Sequence, residues 1–359
     1  RLLNFSNFDT SPFTKHQENR KTKGTKDHMQ WYQYIHQPKG AGLSSLSLMG
    51  FFFLCAFHSV PARSQAFNTP WICEAQPDSL SHVWFRHTYL FSGRPRQASI
   101  TVTTTGYYKL YINACNVGTA RYYPQRNSAN DHRSLAMTFD VTPYLRADTN
   151  VVALVYSPTA PSLHRRQIAV TFFGTSHNGK AFSYDSDGNW QCRKANSRLT
   201  TDGGEWIDGR AHNTDWKTTA YAAALWQSAN SVANDSLSTG DMADDSALTA
   251  YPLCYEAPTI THVVSFPYPG GRGRELRQTL SDGFYGFATA TLRGARQGEQ
   301  IQLGPLTYIC NGEMDEQAWP VFATTYAGNI IVEGDDRFRP DQITMLEAVS
   351  INKHITDLY

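Results

Sequence analysis

The chain has 359 residues, 41% of them hydrophobic, 13% aromatic and 18% charged, with 32 Lys and Arg against 31 Asp and Glu. That apolar content supplies a core and excludes a disordered chain. A net charge of +1 with no long basic stripe excludes nucleic acid as the natural partner. The charge is uneven, since residues 1–66 hold 8 basic and 3 acidic side chains and leave 24 against 28 beyond them.

Residues 1–41 are polar, lysine-rich and unpatterned, and are set aside as a disordered leader or a reading-frame artefact, with Met29 or Met49 as alternative starts. Residues 42–66 carry an apolar run from Leu46 to Phe57, preceded by Lys39 and followed by Ser64-Gln65-Ala66. The run is short for a bilayer span, and the small residues at Ser64 and Ala66 suit a signal peptidase. A signal peptide is therefore expected, with export to the periplasm or the extracellular space and no membrane span in the mature protein. Phe53-Leu54 ahead of Cys55 is a poor lipobox. Five later cysteines, Cys73, Cys115, Cys192, Cys254 and Cys310, form no CxxC or zinc spacing, and buried free thiols are expected.

From Val83 the text is strand and turn. Trp84 to Leu90, Ala98 to Thr104, Tyr107 to Ile112, Thr138 to Thr142, Val151 to Tyr156 and Gln167 to Phe173 read as strands. Asn113-Ala114-Cys115-Asn116 reads as a hairpin turn. Pro143-Tyr144-Leu145 reads as one helical turn with Thr142 as its cap. Residues 180–229 are rich in tryptophan (Trp190, Trp206, Trp216, Trp226), and Ala220 to Gln227 is the best short helix. A Ser-, Ala-, Asp- and Asn-rich stretch supplies a linker over 230–257. Thr261 to Phe266, Tyr285 to Leu292, Glu299 to Leu303, Asn329 to Val332 and Thr344 to Ile351 are the later strands. The expected fold class is all-β, with two consecutive jelly-roll-like β-sandwich domains over 67–229 and 258–359.

Several short elements, in a fixed order, resemble the accessory β-domains of bacterial α-L-rhamnosidases. They are SITVTTTGYYKLYINACNV from Ser99, Tyr123-Pro124, MTFDVTPYL from Met137, and Asp148 to Val155. Asp187 to Trp190, GEWIDGR from Gly204, Thr214-Asp215-Trp216 and Leu225 to Ala229 follow. Tyr285-Gly286-Phe287, with Gly294, Gly298 and Ile301, and then residues 330–350 complete the series. The likeness spans about 100 to 350, and its second half resembles the family's concanavalin-like domain. Ala114 stands where the family has Gly, Tyr156-Ser157-Pro158 replaces a glycine-rich step, and Thr279 to Asp282 departs from the usual pattern. The resemblance implies a helical catalytic barrel after these domains, and the expectation here is of the accessory domains without it.

Glycoside hydrolysis needs two carboxyl groups about 5 to 9.5 Å apart. Glu205 with Asp208, Glu313 with Asp315 and Glu316, and Glu333 with Asp335 and Asp336 are the candidates. The later two clusters read as solvated loops. Glu205 and Asp208 match an accessory-domain motif that the resemblance implies is a structural or cleft-edge element, with Arg210 pinning the turn. No catalytic, cofactor or metal residue is assigned. Asp185 to Asn189 imitates a calcium loop but has its glycine at the fourth place, so structural calcium has no support. Tyr122, Tyr123, Arg126, Trp206, Glu205, Asp208 and Arg210 are the candidate carbohydrate contacts, with Tyr122-Tyr123 as the expected exposed patch. The reading is a non-catalytic, glycan-associated part of an α-L-rhamnosidase-like hydrolase. Its partners are rhamnose-containing or other glycans and a separate catalytic domain. A stand-alone secreted carbohydrate-binding protein is the alternative, and an active rhamnosidase the third reading.

Overall fold

A computed structural model describes residues 69–118, 120–124, 135–232, 260–270 and 273–351. The leader, the signal segment, Arg126, Cys254 and most of the expected linker lie outside the described residues. Twenty strands are described. The first ten are β1 (Trp71–Cys73), β2 (Ser81–Leu90), β3 (Gln97–Thr104), β4 (Tyr107–Ile112), β5 (Cys115–Asn116), β6 (Leu135–Asp140), β7 (Thr149–Ser157), β8 (Ile168–Thr175), β9 (Ala181–Asp185) and β10 (Gln191–Leu199). The others are β11 (Glu205–Asp208), β12 (Gln227–Ser228), β13 (Asn230–Val232), β14 (Ile260–Pro267), β15 (Glu275–Arg293), β16 (Gln300–Leu303), β17 (Leu306–Ile309), β18 (Asp315–Ala318), β19 (Thr325–Gly334) and β20 (Ile343–Ile351). The fold class is all-β, as expected, and the helical turns among the described residues are three-residue 3-10 segments.

One sheet runs β13-β1-β8-β3-β6, with β9 on β8. A second runs β14-β20-β15-β19-β16-β17-β11-β10-β2-β7-β4-β5, with β12 on β10 and β18 on β15. Alternation along the strands explains how the two meet. Ile100 and Val102 of β3 and Val170 and Phe172 of β8 face Phe85 of β2, Leu110 of β4 and Leu154 of β7 in one fully buried core. The other face of β7, with Val151, Ala153 and Val155, is covered by Trp216, Ala223 and Trp226 from the segment that follows β11. Burial on both faces is why VVALVY is an unbroken apolar run rather than an alternating one. The later strands enclose a separate core that includes Leu276, Ala290, Leu303, Val332 and Leu346.

Strand β11 joins the two regions. It pairs antiparallel with β10 over Ser197–Leu199 and parallel with β17 over Leu306–Ile309, so hydrogen bonding continues from one region into the other.

Two local readings change. Ala220 to Gln227 is not a helix, because Ala223 and Trp226 are drawn onto Trp84 and Trp216. Thr142 begins the 3-10 turn Thr142–Tyr144 instead of capping it with its side chain. Its hydroxyl accepts from Ala98 N–H at 2.9 Å, while Asp140 accepts from Thr142 N–H at 2.9 Å. At the β4–β5 hairpin both turn residues take positive φ, 52° at Asn113 and 71° at Ala114. A two-residue hairpin needs this backbone, and Asn tolerates it while Ala resists it.

Ala114 is exposed, so replacing it removes strain without opening a cavity. Ala114→Gly is expected to stabilise the protein by about 1 kcal/mol, measured as a rise in the urea midpoint at unchanged slope.

Candidate functional site

The site grows from Gly204-Glu205-Trp206-Ile207-Asp208-Gly209-Arg210. Both glycines are dictated by the neighbouring strand. A Cβ on Gly204 would lie 2.3 Å from the Pro305 carbonyl oxygen. One on Gly209 would lie 2.4 Å from the Tyr308 hydroxyl and 2.7 Å from the Ile309 carbonyl oxygen. Only with both Cβ atoms missing does β17 approach closely enough to pair with β11.

Alternation then sends Glu205 inward, where it is 0% exposed. Its Oε2 accepts the backbone N–H groups of Phe322 at 2.8 Å and Ala323 at 3.0 Å. Arg121, after β5, holds the same turn from its carbonyl side, donating to Pro320 and, at 3.3 Å, to Ala323. The guanidinium also lies 3.5 Å from the ring centre of Phe287. His82 on β2 places Nδ1 3.7 Å from Glu205 Oε1 and 2.8 Å from the Ser197 hydroxyl. Burial pushes His82 down to about 3, so the imidazole is neutral, and it brings Arg121 down to about 10, where it stays charged. Burial also raises the Glu205 carboxyl, outweighing the opposing pull of the Ala323 and Phe322 N–H groups and of Arg121. A carboxyl group enclosed and bonded in this way is a clamp on the Pro320–Ala323 turn, out of reach of a substrate.

The other sequence candidates fall around this clamp. The expected exposed patch at Tyr122 and Tyr123 is corrected, as the two are 6% and 5% exposed. Tyr122 lies against Tyr107 and Phe322, with ring centres 5.0 and 5.8 Å away, and Tyr123 packs on Phe139 at 4.8 Å. Trp206 is half-buried beneath Arg198, whose guanidinium carbon is 4.8 Å from the ring centre. Asp208 accepts the Arg210 backbone N–H at 3.0 Å, and its two oxygens take Arg210 Nε and Nη2 at 2.9 and 2.8 Å. This is the turn-pinning role that the motif implied, and Arg210 keeps Asp208 below the usual carboxylate range.

The later acidic clusters are also committed. Asp335 receives the Arg337 guanidinium, which lowers it to about 2, and Asp315 pairs with Arg293 at 2.7 Å. Glu316 is buried and accepts from the Tyr308 hydroxyl at 2.9 Å. Sequence reasoning missed Arg121 and the Phe322–Ala323 backbone as partners of Glu205. They lie 84, 117 and 118 positions away in the chain, and no local pattern links them. Among the described residues no group of three or more His, Cys, Asp or Glu is placed to hold a metal, and Cys73, Cys115, Cys192 and Cys310 are free thiols.

Glu205→Ala should cost about 3 kcal/mol, because it strands two buried N–H groups and the Arg121 charge. Glu205→Gln, which keeps an acceptor oxygen, should cost less than half as much. Denaturant unfolding of the three proteins measures both.

A small cleft is lined by Glu74, Asp78, Ser81, Val83, Phe85, Tyr156 and Arg166. Burial lifts the Glu74 carboxyl to about 7, against the pull of Lys194 at 4.0 Å and with help from Asp78. A carboxyl raised in the folded state binds more protons there than in the unfolded chain. Its contribution is complete below the ordinary value of 4.5 and is lost as pH rises through about 7. Thermal unfolding between pH 4.5 and 8 should show the wild-type midpoint falling across this window, with Glu74→Gln flattening the fall.

The family model described as "Alpha-L-rhamnosidase N-terminal domain" matches residues 93–245. Among solved structures, the α-L-rhamnosidase from Dictyoglumus thermophilum is similar with a TM-score of 0.64 and 16% identity, over 80% of this chain and 36% of that one. The α-L-rhamnosidase from Aspergillus terreus gives 0.62 and 14%, over 80% and 36%. The Streptomyces avermitilis α-L-rhamnosidase complexed with L-rhamnose gives 0.58 and 15%, over 77% and 29%. These likenesses are of fold, and the chain spans about a third of the length of those enzymes. No curated protein matches the chain in sequence.

Proposed function

Starting from the match of residues 93–245 to the α-L-rhamnosidase N-terminal domain model, we propose that these strands form the non-catalytic, glycan-associated part of an α-L-rhamnosidase-like glycoside hydrolase. The observation that carries this reading is the fate of Glu205. A general acid must reach the glycosidic oxygen, whereas this carboxyl group is fully enclosed and accepts two backbone N–H groups. Asp208, the second acid of the motif, is occupied by Arg210. The chemistry of the motif serves the junction between the two strand-rich regions, which supports a role in presenting or orienting a glycan for a catalytic domain. The apolar run from Leu46 to Phe57 with Ser64-Gln65-Ala66 supports export as the setting in which the protein meets a polymer. No helix among the described residues is long and apolar enough to cross a membrane.

The test is to incubate the purified protein with an aryl α-L-rhamnoside and, separately, with rhamnose-containing polysaccharides. The expected outcome is no release of the aryl group above the buffer rate, together with measurable retention on the polysaccharide. Turnover abolished by Asp208→Asn or Glu205→Gln would overturn the reading, and so would the absence of both turnover and retention.

A further inference from the structure

Three features outside the clamp bear on ligand binding: the Glu74 cleft, the exposed outer strand β14, and a cationic patch beside β4. The patch carries the argument furthest. Lys109 and Tyr111 sit two positions apart on β4 and share its outward face. Lys217, from the segment that covers this face, places Nζ 4.1 Å from the ring centre of Tyr111. Trp319, which belongs to the later strand region and directly precedes the clamped turn, has its ring centre 5.8 Å from Lys109 Nζ. All four side chains are half-buried. Tyr111 is braced edge-on by Trp216, with ring centres 5.9 Å apart.

Among the described residues the charge on this patch is met by aromatic rings and by no carboxylate. Among the described residues no carboxylate forms an ion pair with Lys109 or Lys217. Burial, followed by the positive charges of Lys217 and Arg121, pushes Lys109 down to about 8. These are two partly desolvated ammonium groups of like charge, each over an aromatic ring, and an anion that reaches both relieves their repulsion. The indole and phenol rings beside them supply the apolar surface against which a pyranose ring packs. Cations that bind a carboxylate, next to an aromatic wall that binds a sugar, select one ligand class.

We propose that Lys109, Lys217, Tyr111 and Trp319 form a binding site for an acidic saccharide, with a uronic acid carboxylate received by the two ammonium groups and its ring set against Trp319. The site rests on the glycan-associated reading and names the class of sugar it takes. Each of the two strand-rich regions contributes to it. The Glu205–Arg121 clamp positions it, because Pro320, to which Arg121 donates, is the residue after Trp319.

The experiment is calorimetric titration of the full protein with a trigalacturonate and with its methyl ester, with retention on a neutral rhamnose-containing polysaccharide measured in parallel. The acid should bind at least about ten-fold more tightly than the ester. Lys109→Met and Lys217→Met should each weaken the acid by about ten-fold, the scale of one lost charge-assisted hydrogen bond. Lys180→Met, which removes an exposed charge in the β8–β9 turn, should leave the affinity unchanged. Thermal midpoints of the variants within a few degrees of wild type separate lost binding from lost folding. Equal binding of acid and ester would overturn the inference, as would a Lys180→Met loss matching that of Lys109→Met. If the acid fails while the neutral polysaccharide is still retained, this site falls and the glycan-associated reading stands. If neither is bound, both fall.

Discussion

A four-residue turn held from both sides is the joint on which the rest of the molecule depends. Glu205 takes the N–H groups of Phe322 and Ala323, and Arg121 takes the carbonyls of Pro320 and Ala323. Both side chains come from the earlier strand region and the turn comes from the later one. The polar groups of a buried turn must find partners, and here a carboxyl group and a guanidinium supply them while each moderates the cost of burying the other. The clamp works only because β11 has already been placed. That placement rests on two missing Cβ atoms, at Gly204 and Gly209, which let β17 lie parallel alongside.

The clamp organises more than the turn it holds. Phe322, fixed through its N–H, packs with Tyr122 and with the Trp84, Trp216 and Trp226 group on the outer face of β2 and β7. The segment that carries Trp216 is tied down again by Arg86, which donates to the carbonyls of Thr218 at 3.1 Å and Tyr221 at 3.1 Å. The tryptophans that follow the motif in sequence thus form a lid over one sheet face, and this second small core makes β7 apolar on both sides. Aromatic residues that could serve as sugar platforms are mostly consumed in this packing, which leaves Trp319 among the half-buried ones.

Much of the fold was legible because alternation is a local signal. Strands such as β3 and β4 followed directly from Ile100 and Val102 or from Leu110 and Ile112. Strands whose pattern is not alternating were cut short or lost. The half of β15 before Phe284 is largely polar and passes through a register shift between Thr279 and Phe284, so only Tyr285 to Leu292 could be read. The charged β10 pairs on both sides and yet carries Arg193, Lys194 and Arg198 outward. The parallel pairing of β11 with β17 has no sequence signature, since its partners are about a hundred positions apart. Tyr122 and Tyr123 were misjudged for the same reason. Their neighbours in sequence, Arg121 and Arg126, speak of a surface, whereas their neighbours in space are Phe322 and Phe139.

The two acids of the motif show how geometry decides what a residue type is for. Glu205 and Asp208 are three positions apart in a strand, so their side chains leave on opposite faces and cannot flank one substrate. One enters the interior and meets backbone N–H groups, while the other stays at the rim and meets a guanidinium within the same turn. Among the described residues, positive charge without a carboxylate partner lies elsewhere, on the lysines of β4 and its covering segment. An acid fully enclosed by protein is out of a ligand's reach, and a half-buried ammonium with no carboxylate partner among the described residues keeps attraction for an anion. The capacity of this fold to recognise something outside itself is therefore sought in these two lysines rather than in the two acids of the motif.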